Sequence, residues 1–231
     1  MLPDVCYAFL SKDVHLLNMQ NGLADNTVSA VYKDKEGFIW FGTRNGLSRY
    51  DGRRITNFER SRSYPSISNL KEVFDGVLAF VDNGVFSAFD LKKERFLSVV
   101  SSSGQGIPSR GMLQRNDSLV WVISGSELHL MKRCASKEGE LRLRVQEKYT
   151  GWNNQDNLLV AITYSSDKKS ICLIDEKGRI ILLDATNLNS FRVIDLGRTG
   201  SLSVNSVLYD DGRIWISTIA HGVISVSYTH L

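Results

Sequence analysis

The side chains able to do chemistry are few and scattered. His15, His129, His221 and His230 fall in no HExxH and no histidine–aspartate spacing that would fix a metal, and they read as surface or turn residues. Cys6, Cys134 and Cys172 lie far apart without a CxxC pair, which suits buried free thiols better than zinc or redox work. There is no GxSxG nucleophile turn. Gly104-Gln105-Gly106 lacks the later glycine of a dinucleotide fingerprint and the Lys-Ser/Thr of a phosphate loop, so it reads as a flexible connection. Asp75, Asp117, Asp210 and Asp211 fall in expected turns, where a carboxylate bonds neighbouring backbone N–H groups. Glycoside hydrolysis needs two carboxylates a few ångströms apart, a proximity that sequence does not settle. No catalytic residue, metal or cofactor is assigned.

Two groups of residues could meet a ligand. Arg44, Arg49, Arg53, Arg54, Arg60 and Arg62 form the one notable charge cluster, readable as a solvated sheet edge or as a contact surface for an acidic sugar or phosphate. Trp152-Asn153-Asn154-Gln155-Asp156 combines an aromatic face with amides, the chemistry that stacks on a sugar ring and bonds its hydroxyls; the alternative is that Trp152 packs between sheets. The ligand-contact candidates are Trp152, Asn154, Arg44 and Arg49.

Those side chains must be positioned by strands. Val28, Ala30 and Tyr32 alternate with Ser29, Val31 and Lys33, the two-residue period of a half-buried strand. Lys35-Glu36-Gly37 breaks the pattern, Phe38-Ile39-Trp40-Phe41 resumes it, and Asn45-Gly46 precedes Leu47-Ser48-Arg49-Tyr50. Asn-Gly predicts a type I′ hairpin turn, since both residues tolerate positive φ. Asp51-Gly52 makes a further turn before Ile55-Thr56-Asn57-Phe58. The result is a four-stranded antiparallel meander.

Later segments repeat this unit. Gly212-Arg213-Ile214-Trp215-Ile216-Ser217-Thr218, followed by Gly222-Val223, matches Gly37-Phe38-Ile39-Trp40-Phe41-Gly42-Thr43, followed by Gly46-Leu47. Weaker copies contain Asn83-Gly84, Trp121 and Glu176-Lys177-Gly178. The period is roughly 38 to 51 residues, the size of a propeller blade. Blade-like units are expected near residues 22–60, 67–100, 107–147, 156–196 and 202–231, joined by loops at 61–68 and 98–109, with 227–231 read as a possible adapter scar. Leu141 to Val145 alternates strictly and suits an outer strand with one basic solvated face. Gly37, Trp40, Gly42, Gly46, Trp121, Gly212, Trp215 and Gly222 form the structural motif, with the tryptophans in equivalent slots between blades and Gly42 where two backbones approach closely.

Composition sets the outer limits. The 231 residues, 42% hydrophobic, suffice for one large core or two small ones, and 28 basic against 25 acidic residues give a charge of +3, too balanced to demand a nucleic-acid or membrane-surface partner. No run approaches the roughly eighteen apolar residues of a membrane span, so the segment reads as soluble. Val5 to Leu10 is apolar, but no basic residue precedes it and it is short for a signal-peptide core, so either no export signal is present or it has been lost.

The first unit, with Gly22-Leu23, Asp25-Asn26, Val28, Asp34, Gly37, Trp40, Gly42-Thr43, Asn45-Gly46-Leu47 and Tyr50-Asp51-Gly52, resembles the two-component regulator propeller repeat. In particular, it resembles the start of the periplasmic sensor region of Bacteroidetes-type hybrid histidine kinases. The resemblance implies an all-β propeller of four-stranded antiparallel blades, with about five repeats here, an incomplete ring of a parent with about seven blades per ring. It further implies a periplasmic sensor on an inner-membrane histidine-kinase parent whose catalytic domains lie outside this chain. A homodimer of the parent, an oligosaccharide or glycan-derived ligand, and control of carbohydrate-utilisation genes are the associated expectations, with missing blades of the parent as further partners and no direct nucleic-acid contact. The alternatives are a propeller polysaccharide lyase or hydrolase, and a non-catalytic scaffold for protein partners.

Overall fold

The computed structural model describes residues 15–59, 67–152, 157–197 and 202–227. It is all-β apart from a three-residue helical turn, Met19–Asn21. The first sheet comprises β1 (Val28–Lys33), β2 (Ile39–Thr43), β3 (Gly46–Tyr50) and β4 (Ile55–Phe58). The second holds β5 (Ile67–Phe74), β6 (Val77–Asp82), β7 (Val85–Asp90) and β8 (Arg95–Ser101), and the third holds β9 (Gly111–Asn116), β10 (Leu119–Ser124), β11 (Glu127–Cys134) and β12 (Glu140–Tyr149). The fourth consists of β13 (Leu159–Tyr164), β14 (Ser170–Asp175), β15 (Ile180–Asp184) and β16 (Phe191–Ile194); the fifth has three described strands, β17 (Val204–Asp210), β18 (Arg213–Thr218) and β19 (Val223–Ser227). Within each sheet the strands follow one another as an antiparallel meander. The first strands of successive sheets, β1, β5, β9, β13 and β17, lie against one another. This is the arrangement of propeller blades around an axis.

Four clusters of buried side chains hold the sheets together, one at each junction. Trp40 and Leu47 meet Ile67, Leu78 and Phe80. Val81 and Phe86 meet Met112 and Val120. Trp121 and Leu128 meet Ile171 and Leu183, and Cys172 and Ile174 meet Tyr209, Ile214 and Ile216. Central strands therefore bury both faces: β6 alternates Leu78 and Phe80 toward the first sheet with Val77, Ala79 and Val81 toward the third. Burial pushes the Cys172 thiol up to about 12, which leaves it an inert part of this packing.

The fifth sheet ends the series. Trp40 is 1% exposed, whereas Trp215, at the matching place on β18, is 40% exposed beside Leu208 and Val223. Its other face, with Ile214 and Ile216, is fully buried against the fourth sheet.

Several sequence expectations need correcting. Asn45-Gly46 does not form a type I′ turn, because only Gly46 has positive φ, at 117°. Instead, Thr43 pairs with Gly46, and Thr43 Oγ1 accepts from Asn45 N and donates to Gly46 O. Asn83-Gly84 does take positive φ at both residues, 49° and 78°. The stretch 98–109, expected as a joining loop, begins as strand. β8 continues to Ser101 because Ser98 to Ser101 pair in parallel with Glu140 to Leu143 of β12. This seam fuses the second and third sheets into one of eight strands, and Lys93 and Arg95 bracket Glu138 beside it at 2.8 and 2.9 Å. His129 is no surface residue: it is buried in β11, its Nε2 2.5 Å from Glu127 Oε2. Asp75 pairs with Lys92 at 3.2 Å rather than with backbone N–H groups.

Gly42 marks the tightest approach between sheets. A Cβ there would sit 2.5 Å from Ile67 Cγ2. Gly42→Ala is expected to destabilise the protein by about 1–3 kcal/mol through overpacking, measured as a lower urea midpoint. Adding Ile67→Leu, which removes the obstructing methyl, should recover part of that loss, so the two substitutions are non-additive.

Candidate functional site

In a meander the β2–β3 type turns share one end with the links that lead into each first strand. Those segments converge on a cavity of about 560 Å³ that includes Ser68, Asn83, Ser109, Arg110, Glu176 and Ser203 in its walls. Ser68 opens β5, Arg110 precedes β9, Asn83 lies in the β6–β7 turn and Glu176 in the β14–β15 turn. Sheets two to five thus each contribute to one polar funnel.

The rim is set by turn chemistry. Asp175, 1% exposed, accepts from Lys177 N, Arg179 N and Arg179 Nε at 2.7 to 3.0 Å, which fixes the β14–β15 turn that carries Glu176. Glu176 O in turn accepts from Leu202 N and ties the entry of the fifth sheet to the fourth. Ser109 N donates to Gly84 O and Ser109 Oγ to Gly111 O. Asn69 Nδ2 donates to Arg110 O, leaving the exposed guanidinium to face solvent. Among the described residues neither Arg110 nor Glu176 is in an ion pair. The funnel therefore offers one cation, one anion, hydroxyls and an amide, a set suited to hydrogen-bonding a polar, hydroxyl-rich molecule. Among the described residues no aromatic ring lines it.

The three described ligand-contact candidates, Trp152, Arg44 and Arg49, do not assemble. Trp152 is 4% exposed, packed edge-on to Phe191 at 6.3 Å within the junction of sheets three and four. Its ring face is not available to a sugar in this arrangement. Asn154 lies outside the described residues, as do Arg60 and Arg62. Arg44 is exposed in the β2–β3 turn, at the funnel end of its sheet. Arg49 sits about 10 Å along β3 from Gly46 by strand rise, toward the opposite end. There it stacks over Phe38, Trp40 and Phe58 at 4.9 to 5.6 Å and pairs with Glu94 at 2.6 Å. The funnel residues are serines, an asparagine, an arginine and a glutamate from distant segments. A signal that could have found them is their shared offset from the repeat: each falls at a first-strand entry or a β2–β3 type turn.

Residues 22–45 match the two-component regulator propeller family. That segment is similar to one repeat of the family. The matched segment spans β1, β2 and the start of the following turn, and it holds Gly42 of the close approach and Thr43, whose hydroxyl bonds the turn. A search of curated protein sequences returned no match. Among solved structures, the chain is similar to the extracellular domain of a protein described as a hybrid two-component system of B. thetaiotaomicron, at 17% identity and a TM-score of 0.64 over 89% of this chain and 29% of that one. It is similar to PorZ, a surface component of the type-IX secretion system of Porphyromonas gingivalis, at 11% identity and 0.62 over 91% and 28%. The propeller domain of Cps50 (Swd1) from Myceliophteria thermophila aligns at 14% identity and 0.58 over 86% and 64%. These likenesses establish the propeller fold. The chain spans less than a third of the length of the first two.

The regulator-propeller turn recurs in the fifth sheet, where Thr218 Oγ1 donates to Gly222 O and accepts from His221 N, both at 2.9 Å. Thr43 is fully buried and Thr218 is not. Thr43→Val is expected to cost about 1–3 kcal/mol, because it orphans a buried carbonyl and N–H, and Thr218→Val distinctly less. Chemical denaturation of the two variants measures the difference.

Proposed function

We propose that this chain is part of the extracytoplasmic propeller sensor of a two-component system and that its funnel receives a glycan-derived ligand. The observation that carries this reading is the convergence of polar side chains from four sheets on a chain whose first repeat matches the two-component regulator propeller family. A polyhydroxylated ligand bridging Ser68 and Asn83 on one side and Glu176 and Ser203 on the other would favour one spacing of the blades over others. A ligand acts on a sensor through such differential binding. In this reading the parent is an inner-membrane histidine kinase, homodimeric, with its propeller in the periplasm and its output the transcription of carbohydrate-utilisation genes.

Further blades of the parent would cover the exposed Trp215, Leu208 and Val223 face, as the second sheet covers Trp40. Among the described residues Glu176 is the single carboxylate in the funnel wall, whereas hydrolysis of a glycosidic bond ordinarily takes two. This favours binding over turnover. The test is a glycan-array screen of the whole ectodomain followed by calorimetry on the glycan it selects. Arg110→Ala and Glu176→Gln should each weaken that glycan about tenfold or more, the scale of a lost hydrogen bond to a charged group, while Trp152→Phe should leave it unchanged. Absence of any glycan ligand, full affinity in both funnel variants, or turnover of a polysaccharide would overturn the reading.

A further inference from the structure

The opposite end of the sheets, where the β1–β2 and β3–β4 type turns lie, carries clefts between neighbouring sheets, and two of them differ in charge. The cleft between the first and second sheets, about 210 Å³, includes Lys35, Arg49 and Lys92 together with Asp34, Glu72 and Asp75. Its cations are matched: Lys35 meets Glu72 at 3.1 Å, Lys92 meets Asp75 at 3.2 Å, and Arg49 meets Glu94. Trp40 Nε1 donates to the Asp34 carboxylate at 2.7 Å.

The corresponding cleft between the third and fourth sheets is lined by Gln114, Arg115, Tyr164 and Lys168 and has a volume of about 110 Å³. Both Arg115 and Lys168 are exposed, and among the described residues neither is in an ion pair. Trp121, which faces the next sheet as Trp40 does, donates its Nε1 at 3.1 Å to the Tyr164 hydroxyl instead of to a carboxylate. With the Trp121 N–H donated to its oxygen, the Tyr164 hydroxyl has its own proton left to give. Burial holds this hydroxyl above the ordinary phenol range, so it stays protonated at neutral pH. The carboxylate of Glu147, in the adjoining strand β12, accepts from the Tyr149 hydroxyl.

We infer that this cleft is a binding site for a single oxyanion group, a carboxylate or sulfate borne by a small molecule. Arg115 and Lys168 supply the charge that the first cleft draws from its own carboxylates in reverse, and Tyr164 O–H and the Gln114 amide supply directed hydrogen bonds. A volume of three or four waters, at about 30 Å³ each, admits one such group. The site lies at the far end of the sheets from the funnel and does not depend on the glycan reading.

The test uses the four tryptophan indole N–H resonances in a 1H–15N spectrum of the chain, titrated with sodium sulfate, sodium glucuronate and glucose against sodium chloride at matched ionic strength. The Trp121 indole resonance should shift saturably with sulfate or glucuronate and not with glucose; the more effective anion identifies the group. Arg115→Gln and Lys168→Gln should each raise the midpoint about tenfold, and Lys35→Gln, in the first cleft, should not. Lys168 lies on an exposed turn, so its variant remains informative even where Arg115→Gln fails to fold. No saturable shift with either anion, or an unchanged midpoint in Lys168→Gln, would overturn the inference.

Discussion

Each sheet in this protein has two apolar faces, and only a neighbouring sheet can cover them. The junctions answer that constraint with one cluster apiece: Trp40 and Leu47 against Ile67, Phe80 and Phe89, Met112 against Val81, Trp121 against Ile171, Ile214 against Cys172. A fully buried side chain of this size contributes about 1.5–3 kcal/mol, while a single four-stranded sheet left alone would expose both faces to water. Stability is therefore a property of neighbours, as in other repeat proteins. The 40% exposure of Trp215 is the same physics seen on a face that no described sheet covers.

The constraint explains what the sequence made legible. Turn residues and the tryptophan of the first repeat act locally, so the strands from Val28 to Phe58 and the blade architecture could be read from alternation, Gly37 and Trp40. Features that depend on distant partners could not. Arg49 looked like part of a solvated basic cluster because nothing in its neighbourhood of sequence announces Phe38, Trp40 and Phe58 beneath it or Glu94 beside it. The parallel β8–β12 seam joins segments about forty residues apart by a pairing outside the meander, and so 98–101 read as loop. The Asn45-Gly46 turn was misread because Thr43, not the dipeptide, decides its bonding. Trp152 offered two readings, and the structure places it in the packed junction.

The candidate site was the least legible part. Its residues are ordinary serines, an asparagine, an arginine and a glutamate drawn from positions 68 to 203, and only the winding of the sheets brings them together. The same winding sets the charge of the inter-sheet clefts at the far end. There, substitution of a carboxylate partner for Trp40 by a tyrosine partner for Trp121 changes one junction from self-neutralised to cationic. Architecture is repeated from blade to blade while chemistry is not, so function resides in departures from the repeat.

Native-state hydrogen exchange of this chain tests the central claim that junction burial holds the blades. Opening free energies differ across a structure according to local burial. The amides of β6, β10 and β14, central strands covered on both faces, should exchange slowest, and those of β18, covered on one face only, should exchange markedly faster. Protection of β18 equal to that of β10 would contradict the account.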